Sequence, residues 1–169
     1  MKIYLLRHAK AEPVVSENFD AEADAARVLT PEGIRKMRQI AAGMKAMDLT
    51  FDLILSSPYA RARQTAEIAA QVLQLTNRLK FTPNLAAVAT PADLVAELCD
   101  RHQAASSLLL VGHEPFLGQL ASLLLTGHDV LTVDFKKAGL LALSVEQLKR
   151  GKCAVLDWLL TPKQLAALA

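Results

Sequence analysis

The amino-acid sequence predicts an α/β fold, a three-layer sandwich whose mostly parallel central sheet carries helices on both faces. Three observations predict it. Short apolar runs of strand length alternate along the chain with longer stretches whose apolar residues recur at helical spacing. The runs Lys2 to Leu6 and Leu108 to Val111 are apolar enough to be strands covered from both sides, which is the habit of parallel sheets. A hydrophobic share of 52% in 169 residues supports a core of that size, so the chain reads as one domain, residues 1–169.

Element by element, Lys2 to Leu6 reads as a buried first strand, ended by the charges of Arg7 and Lys10. From Ala11 to Val28 periodicity fails, and Glu12, Glu17, Asp20, Glu22 and Asp24 face only Arg27, so a mobile surface loop is expected. Thr30-Pro31 then supplies an N-cap and a first-turn proline for a helix through about Met47, with Ile34, Met37, Ile40, Ala41 and Met44 on its inner face. Phe51 to Leu55 is rich in strand formers, and Ser56-Ser57-Pro58 offers a cap and first-turn proline for a helix from Tyr59 to about Leu75. A weak strand follows near Leu79 to Thr82, and Pro91 opens a helix to about His102 that sets Leu94, Val95 and Leu98 on one face. Beyond the strand at Leu108 to Val111 comes Gly112-His113-Glu114-Pro115, then a helix from Phe116 closed by Gly127. Leu131 to Phe135, Gly139 to Val145 and Cys153 to Leu159 read as strands, and Pro162 to Ala169 as a terminal helix.

Charge and cysteine usage exclude several classes of function. The 19 basic and 17 acidic residues are interspersed and sum to +2, so there is no basic stripe and no nucleic-acid partner is expected. Cys99 and Cys153 lack a C-x-x-C spacing and read as core thiols in a reducing compartment, which favours a cytoplasmic location and argues against a zinc site. No stretch approaches the roughly 20 apolar residues that span a bilayer, and Met1 to Leu6 is too short for a signal peptide, so no membrane association is expected. A monomer without cofactor or metal is the expectation.

Ligands of open α/β sheets bind beyond the carboxyl ends of the strands, where Arg7-His8, Ser56-Ser57 and Gly112-His113 all fall. A phosphate dianion calls for planar, permanently charged donors, which makes Arg7 and Arg61 the candidate anion ligands. Arg61 stands in the first turn of its helix, where a cation opposes the macrodipole and free N–H groups favour an anion. A neutral imidazole can serve as an in-line nucleophile, and nearby arginines would keep His8 unprotonated while a backbone carbonyl holds its second ring nitrogen as N–H. His113 would then act as a protonated donor to a phosphate oxygen. Ser57 reads first as a helix cap whose hydroxyl could also touch phosphate, and Glu12 first as a solvated loop charge that could swing in as an acid.

Leu6 to Ala11, Leu29 to Gly33, Ser56 to Ala66 and Val111 to Pro115 together resemble the histidine phosphatase (phosphoglycerate mutase-like) superfamily, and within it the short SixA-type phosphohistidine phosphatases. The four blocks occur in that family's order and span most of the chain. The resemblance implies the phosphoglycerate mutase-like fold, His8 as the phosphorylated residue, Arg7 and Arg61 as phosphate ligands and His113 as the second pocket histidine. Ala9 stands where a glycine commonly follows the Arg-His pair. The stretch from Phe81 to Leu94 holds Asn84 and Asp93 but no Glu, where many phosphomonoesterases of the family carry a general acid.

That departure has a chemical reading. An ester expels a poor alkoxide that needs a proton, whereas phosphohistidine expels an imidazole that leaves readily once protonated, so a missing acid costs less with P–N substrates. Arg61 and His113 stand only 52 positions apart, which leaves little room for an inserted lid. The expected activity is therefore dephosphorylation of phosphohistidine on a protein, such as a phosphotransfer domain, through a covalent intermediate on His8. The alternatives are a small-molecule phosphomonoesterase and, below it, a non-catalytic phosphate-binding module. His102, His128 and Arg63 read as surface or helix-end residues, and Trp158 as core.

Overall fold

The computed structural model describes residues 1–14 and 20–169. Along the chain run β1 (Lys2–Arg7), α1 (Ala21–Ala26), α2 (Pro31–Ala46), β2 (Leu53–Ser56), α3 (Ala60–Val72), β3 (Leu79–Phe81), α4 (Pro91–Arg101), β4 (Ser107–Gly112), α5 (Phe116–Thr126), β5 (Leu140–Val145), β6 (Ala154–Leu160) and α6 (Pro162–Ala166). The strands form one sheet in the order β3-β2-β4-β1-β5-β6. Neighbours from β3 to β1 pair in parallel, while β5 and β6 add antiparallel at one side, so the sheet is mostly parallel as expected. No helix among the described residues is long and apolar enough to cross a membrane.

The central strands bury both faces because their side chains alternate between two cores. Ile3, Leu5, Leu53, Leu55, Leu108, Leu110, Leu141 and Leu143 meet α4 and α5 through Leu94, Leu98, Leu117 and Leu120. Leu6, Ile54, Leu109, Val111 and Leu140 meet α2, α3 and α6 through Met37, Met44, Ala66, Ala69 and Leu165. Each fully buried Leu contributes about 2 kcal/mol of transfer free energy, so this two-sided burial holds the layers together.

Local chemistry sets the helix that flanks the site. Thr30 Oγ1 accepts from the Gly33 amide at 3.0 Å and Pro31 occupies the first turn, as the sequence predicts for α2. A Cβ at residue 33 would collide with the Lys10 carbonyl, so the missing side chain lets α2 press against the loop that follows β1. At the end of α5, Gly127 adopts φ 86° and donates its N–H to Leu123 O at 2.9 Å, closing that helix in the left-handed region.

Three expectations need correction. The segment from Ala11 to Val28 is not a featureless loop: Asp20 caps α1, Ala11 bridges Leu29, and the Glu12 amide donates to Val28 O at 2.9 Å. Its 15–19 stretch, with Glu17, lies outside the described residues. Leu131 to Phe135 is not a strand, because its polar backbone groups find other partners: Leu131 N donates to Ser122 Oγ, and Phe135 O accepts from Arg7. The helix after β2, expected from Tyr59 behind a Ser57-Pro58 cap, starts at Ala60, with Tyr59 as a cap that makes no side-chain bond. Ser57 therefore does not cap the helix; its hydroxyl accepts from the Tyr59 amide at 3.3 Å within the preceding turn.

Candidate active site

Sheet register gathers the site. Arg7 pairs with Gly112 across β1 and β4, and Ser56 with Val111 across β2 and β4, so three neighbouring parallel strands end at the same level. The ladder continues one bond further, from His8 N to Gly112 O and from Ser57 N to Val111 O, each at 3.0 Å. His8, Ser57 and His113 thus emerge side by side at the carboxyl edge where the sheet changes direction. The His8 and His113 rings lie 5.2 Å apart between centroids, and His113 Nε2 sits 2.8 Å from Ser57 Oγ.

Arg61 joins this group from the first turn of α3, where it is only 4% exposed, an unusual burial for a guanidinium. Its Cζ lies 5.2 Å from the Tyr59 ring centroid, and that ring is 5.2 Å from His113. Thr65 ties α3 to the nucleophile loop: its hydroxyl donates to Arg61 O at 2.7 Å and accepts from Ala9 N at 3.1 Å. Arg7 is anchored from the opposite side by a 2.6 Å bond from Nη1 to Phe135 O.

Among the described residues, the buried side-chain nitrogen and oxygen atoms left without a partner are Arg7 Nε, Arg61 Nε and His113 Nδ1. Native structures rarely leave such atoms unsatisfied, and here all three belong to one group of residues. An anion is the ligand that two guanidinium N–H groups and an imidazole N–H would share.

Electrostatics fixes the states of the two rings. Burial pushes the His8 imidazolium down to about 4, helped by Arg61, Arg7 and Lys137 and opposed by its bond to Ala9 O. Nδ1 lies 2.7 Å from that carbonyl, so it must carry the proton as donor, and Nε2 keeps its lone pair. Burial also pushes His113 down, to about 3, with Arg61 and His8 adding to the effect. His113 is therefore neutral at neutral pH, not the cation expected from sequence. A tautomer with Nδ1–H accepts from Ser57 at Nε2 and retains one donor for an anion, whose arrival would raise the pKa of both rings.

Of the residues singled out in the sequence, Arg7, His8, Ser57, Arg61 and His113 come together, and Glu12 does not. Its backbone is fixed between Val28 and Arg27, and among the described residues no hydrogen bond or ion pair joins its carboxylate to the group. Asn84 is tied to Glu97 at 2.8 Å and Asp93 to the Thr90 cap, so neither presents an acid to the histidines. Arg63 pairs with Glu67 at 2.8 Å on the exposed side of α3, and His102 ends α4.

Sequence reasoning missed Asp24. Its carboxylate meets Arg61 Nη2 at 3.0 Å, its carbonyl accepts from Arg61 Nη1 at 2.6 Å, and its other carboxylate oxygen accepts from Arg27 at 2.6 and 2.9 Å. A signal was there: Asp20 before an alanine-rich run, with Asp24 and Arg27 spaced for an i,i+3 pair.

The model of the histidine phosphatase superfamily (branch 1) matches residues 3–89. An uncharacterized protein of Picosynechococcus sp. is 34% identical over 145 residues, covering 85% of this chain and 84% of its own. The phosphohistidine phosphatase SixA of Escherichia coli is 29% identical over 133 residues, 76% of each chain. A solved structure of the protein histidine phosphatase SixA complexed with tungstate superposes with TM-score 0.81 at 25% identity, covering 98% of this chain and 99% of that one.

Proposed function

The chain belongs to the histidine phosphatase superfamily, and from that premise we propose that it dephosphorylates phosphohistidine on a protein, through a covalent phosphohistidine formed on His8. The observation that carries the proposal is the state of the His8 ring: Nδ1–H is fixed on Ala9 O, and burial beside two arginines keeps Nε2 unprotonated at neutral pH.

In the first step His8 Nε2 attacks phosphorus in line as the P–N bond to the substrate imidazole breaks. The substrate ring, protonated from solvent at its other nitrogen before the step, keeps the electron pair of the broken bond on the departing nitrogen and leaves as neutral imidazole. The unpartnered Nε atoms of Arg7 and Arg61 and the Nδ1–H of His113 compensate charge on the equatorial oxygens. In the second step a water oxygen attacks the phosphoryl group, the bond to His8 Nε2 breaks, and inorganic phosphate departs. Ser57 sets the His113 tautomer, and Asp24 orients the Arg61 fork.

The likeness to SixA supports a P–N substrate, as does the finding that among the described residues no carboxyl group is hydrogen-bonded to either histidine. Turnover of a histidine-phosphorylated protein, measured against a panel of phosphate monoesters, tests this. Faster release of phosphate from the phosphoprotein is expected; exclusive ester hydrolysis would make the chain a small-molecule phosphomonoesterase instead.

A further inference from the structure

A cleft of about 500 Å³ opens beside the candidate active site and shares Ala9 and Lys137 with the surroundings of His8. Its walls come from the loop after β1 (Ala9, Lys10), the start and middle of α2 (Gly33, Lys36, Ile40), the chain before β5 (Lys137, Ala138) and α6 (Pro162, Lys163). All of these lie at the catalytic end of the sheet. Leu6 pairs with Leu140 and Leu140 with Leu160, so the segments flanking β5 and β6 there arrive level with the carboxyl end of β1. Ala138 N donates to both Arg7 O and His8 O, at 3.0 and 3.2 Å, which makes the cleft and the nucleophile loop share a wall.

The lining is apolar at its floor, through Ala9, Ile40, Ala138 and Pro162, and cationic at its rim, through Lys10, Lys36, Lys137 and Lys163. Among the described residues no carboxylate lines it. Lys10 and Lys36 share one nearby acid, Glu32, at 2.6 and 2.7 Å, while no ion pair is formed by Lys137 or Lys163 among the described residues. Four ammonium groups against one carboxylate leave three positive charges around a groove on a chain whose total is only +2. Charge this concentrated, on an otherwise balanced surface, is suited to steering and orienting an anionic partner.

We infer that this cleft docks an acidic segment of the phosphoprotein substrate, with Asp or Glu side chains at the lysine rim and an apolar side chain on the floor, so that the phosphohistidine is delivered to His8. The inference rests on the proposed phosphoprotein activity and adds to it a rule for choosing among substrates. Single exposed ion pairs are weak, so recognition depends on several acting together and is sensitive to salt.

Two phosphohistidine peptides test it, one carrying three Asp or Glu residues and one Leu near the phosphohistidine, the other with Gln in place of each acid. Free phosphohistidine serves as a substrate too small to dock. Wild-type kcat/KM is expected to favour the acidic peptide about tenfold at low salt, and the preference to shrink toward unity by 0.5 M salt. The exposed pair K36E and K163E, chosen because Lys137 acts on His8, should abolish or invert that preference while free phosphohistidine turns over as before. K36Q with K163Q gives a milder loss and controls for folding, checked by thermal melting. Equal turnover of both peptides by the wild type would overturn the docking surface and leave the phosphohistidine activity standing. A parallel loss on free phosphohistidine would overturn it too, since the lysines would then serve the phosphoryl group. Hydrolysis of neither peptide alongside rapid ester hydrolysis would remove the proposed function and the docking surface with it.

Discussion

The candidate site has two halves built in different ways. Arg7, His8, Ser57 and His113 are carried by the ends of three adjacent parallel strands, with backbone bonds of 3.0 Å at His8 and Ser57, so their relative positions follow from sheet register. The other half is a strap: Asp24 on the six-residue α1 grips Arg61, and Arg27 grips both Asp24 and Glu12 O. Strand ends supply the chemistry, while the strap neutralises part of the charge on Arg61 and sets its fork. Loss of the nucleophile at a strand end should therefore abolish turnover, and a change at Asp24 in the strap should only weaken it.

Removing the nucleophile is the harshest way to break the comparison. His8→Ala should lower turnover by about 10⁴-fold or more, with a thermal melting point within a few degrees of the parent. Arg61→Ala should cost about 10²–10³-fold in kcat/KM through lost charge compensation, and Arg61→Lys should recover little because an ammonium cannot reproduce the planar fork.

The strand half should also announce itself in stability. His8 and His113 bind protons less readily when folded, at about 4 and about 3, than the ordinary imidazole near 6.5. The unfolded chain then holds more protons between those values, so stability is fully present above about pH 6.5 and is lost as the pH falls toward 4 and below. The loss should be on the order of 3 kcal/mol for each ring by chemical denaturation at pH 4 against pH 7, and His8→Ala should remove about half of it.

Smaller effects sharpen both sides. Asp24→Asn keeps the backbone bond to Arg61 but removes the charge, and kcat/KM should fall about tenfold or less, mostly in KM. An increase instead would identify Asp24 as a competitor of phosphate for Arg61. Ser57→Ala should lower kcat by less than about tenfold, since His113 loses one ring partner but keeps its place.

The same division governs what could be read from sequence. Strand-borne residues were legible because a short apolar run ending in a charged or polar residue signals both a buried strand and what stands at its carboxyl end, as at Leu6-Arg7-His8 and Val111-Gly112-His113. The layer order followed from alternation of strands and helices. The strap was hidden because its residues are charged and alanine-rich; α1 buries nothing and is fixed by an ion pair and a carbonyl bond with Arg61, a partner 37 positions away. Leu131 to Phe135 misled for the converse reason: β-forming side chains are present, but the backbone there serves Arg7 and Ser122 instead of a ladder. The neutral state of His113 depends on burial among distant residues, which spacing does not reveal.

Rapid acid-free quenching of the enzyme with a ³²P-labelled phosphohistidine substrate, followed by peptide mapping, tests the covalent mechanism most directly. Label is expected on His8, attached at Nε2, stable to alkali and lost in acid. Label on any other residue, or turnover with direct transfer to water and inverted stereochemistry at phosphorus, would contradict it.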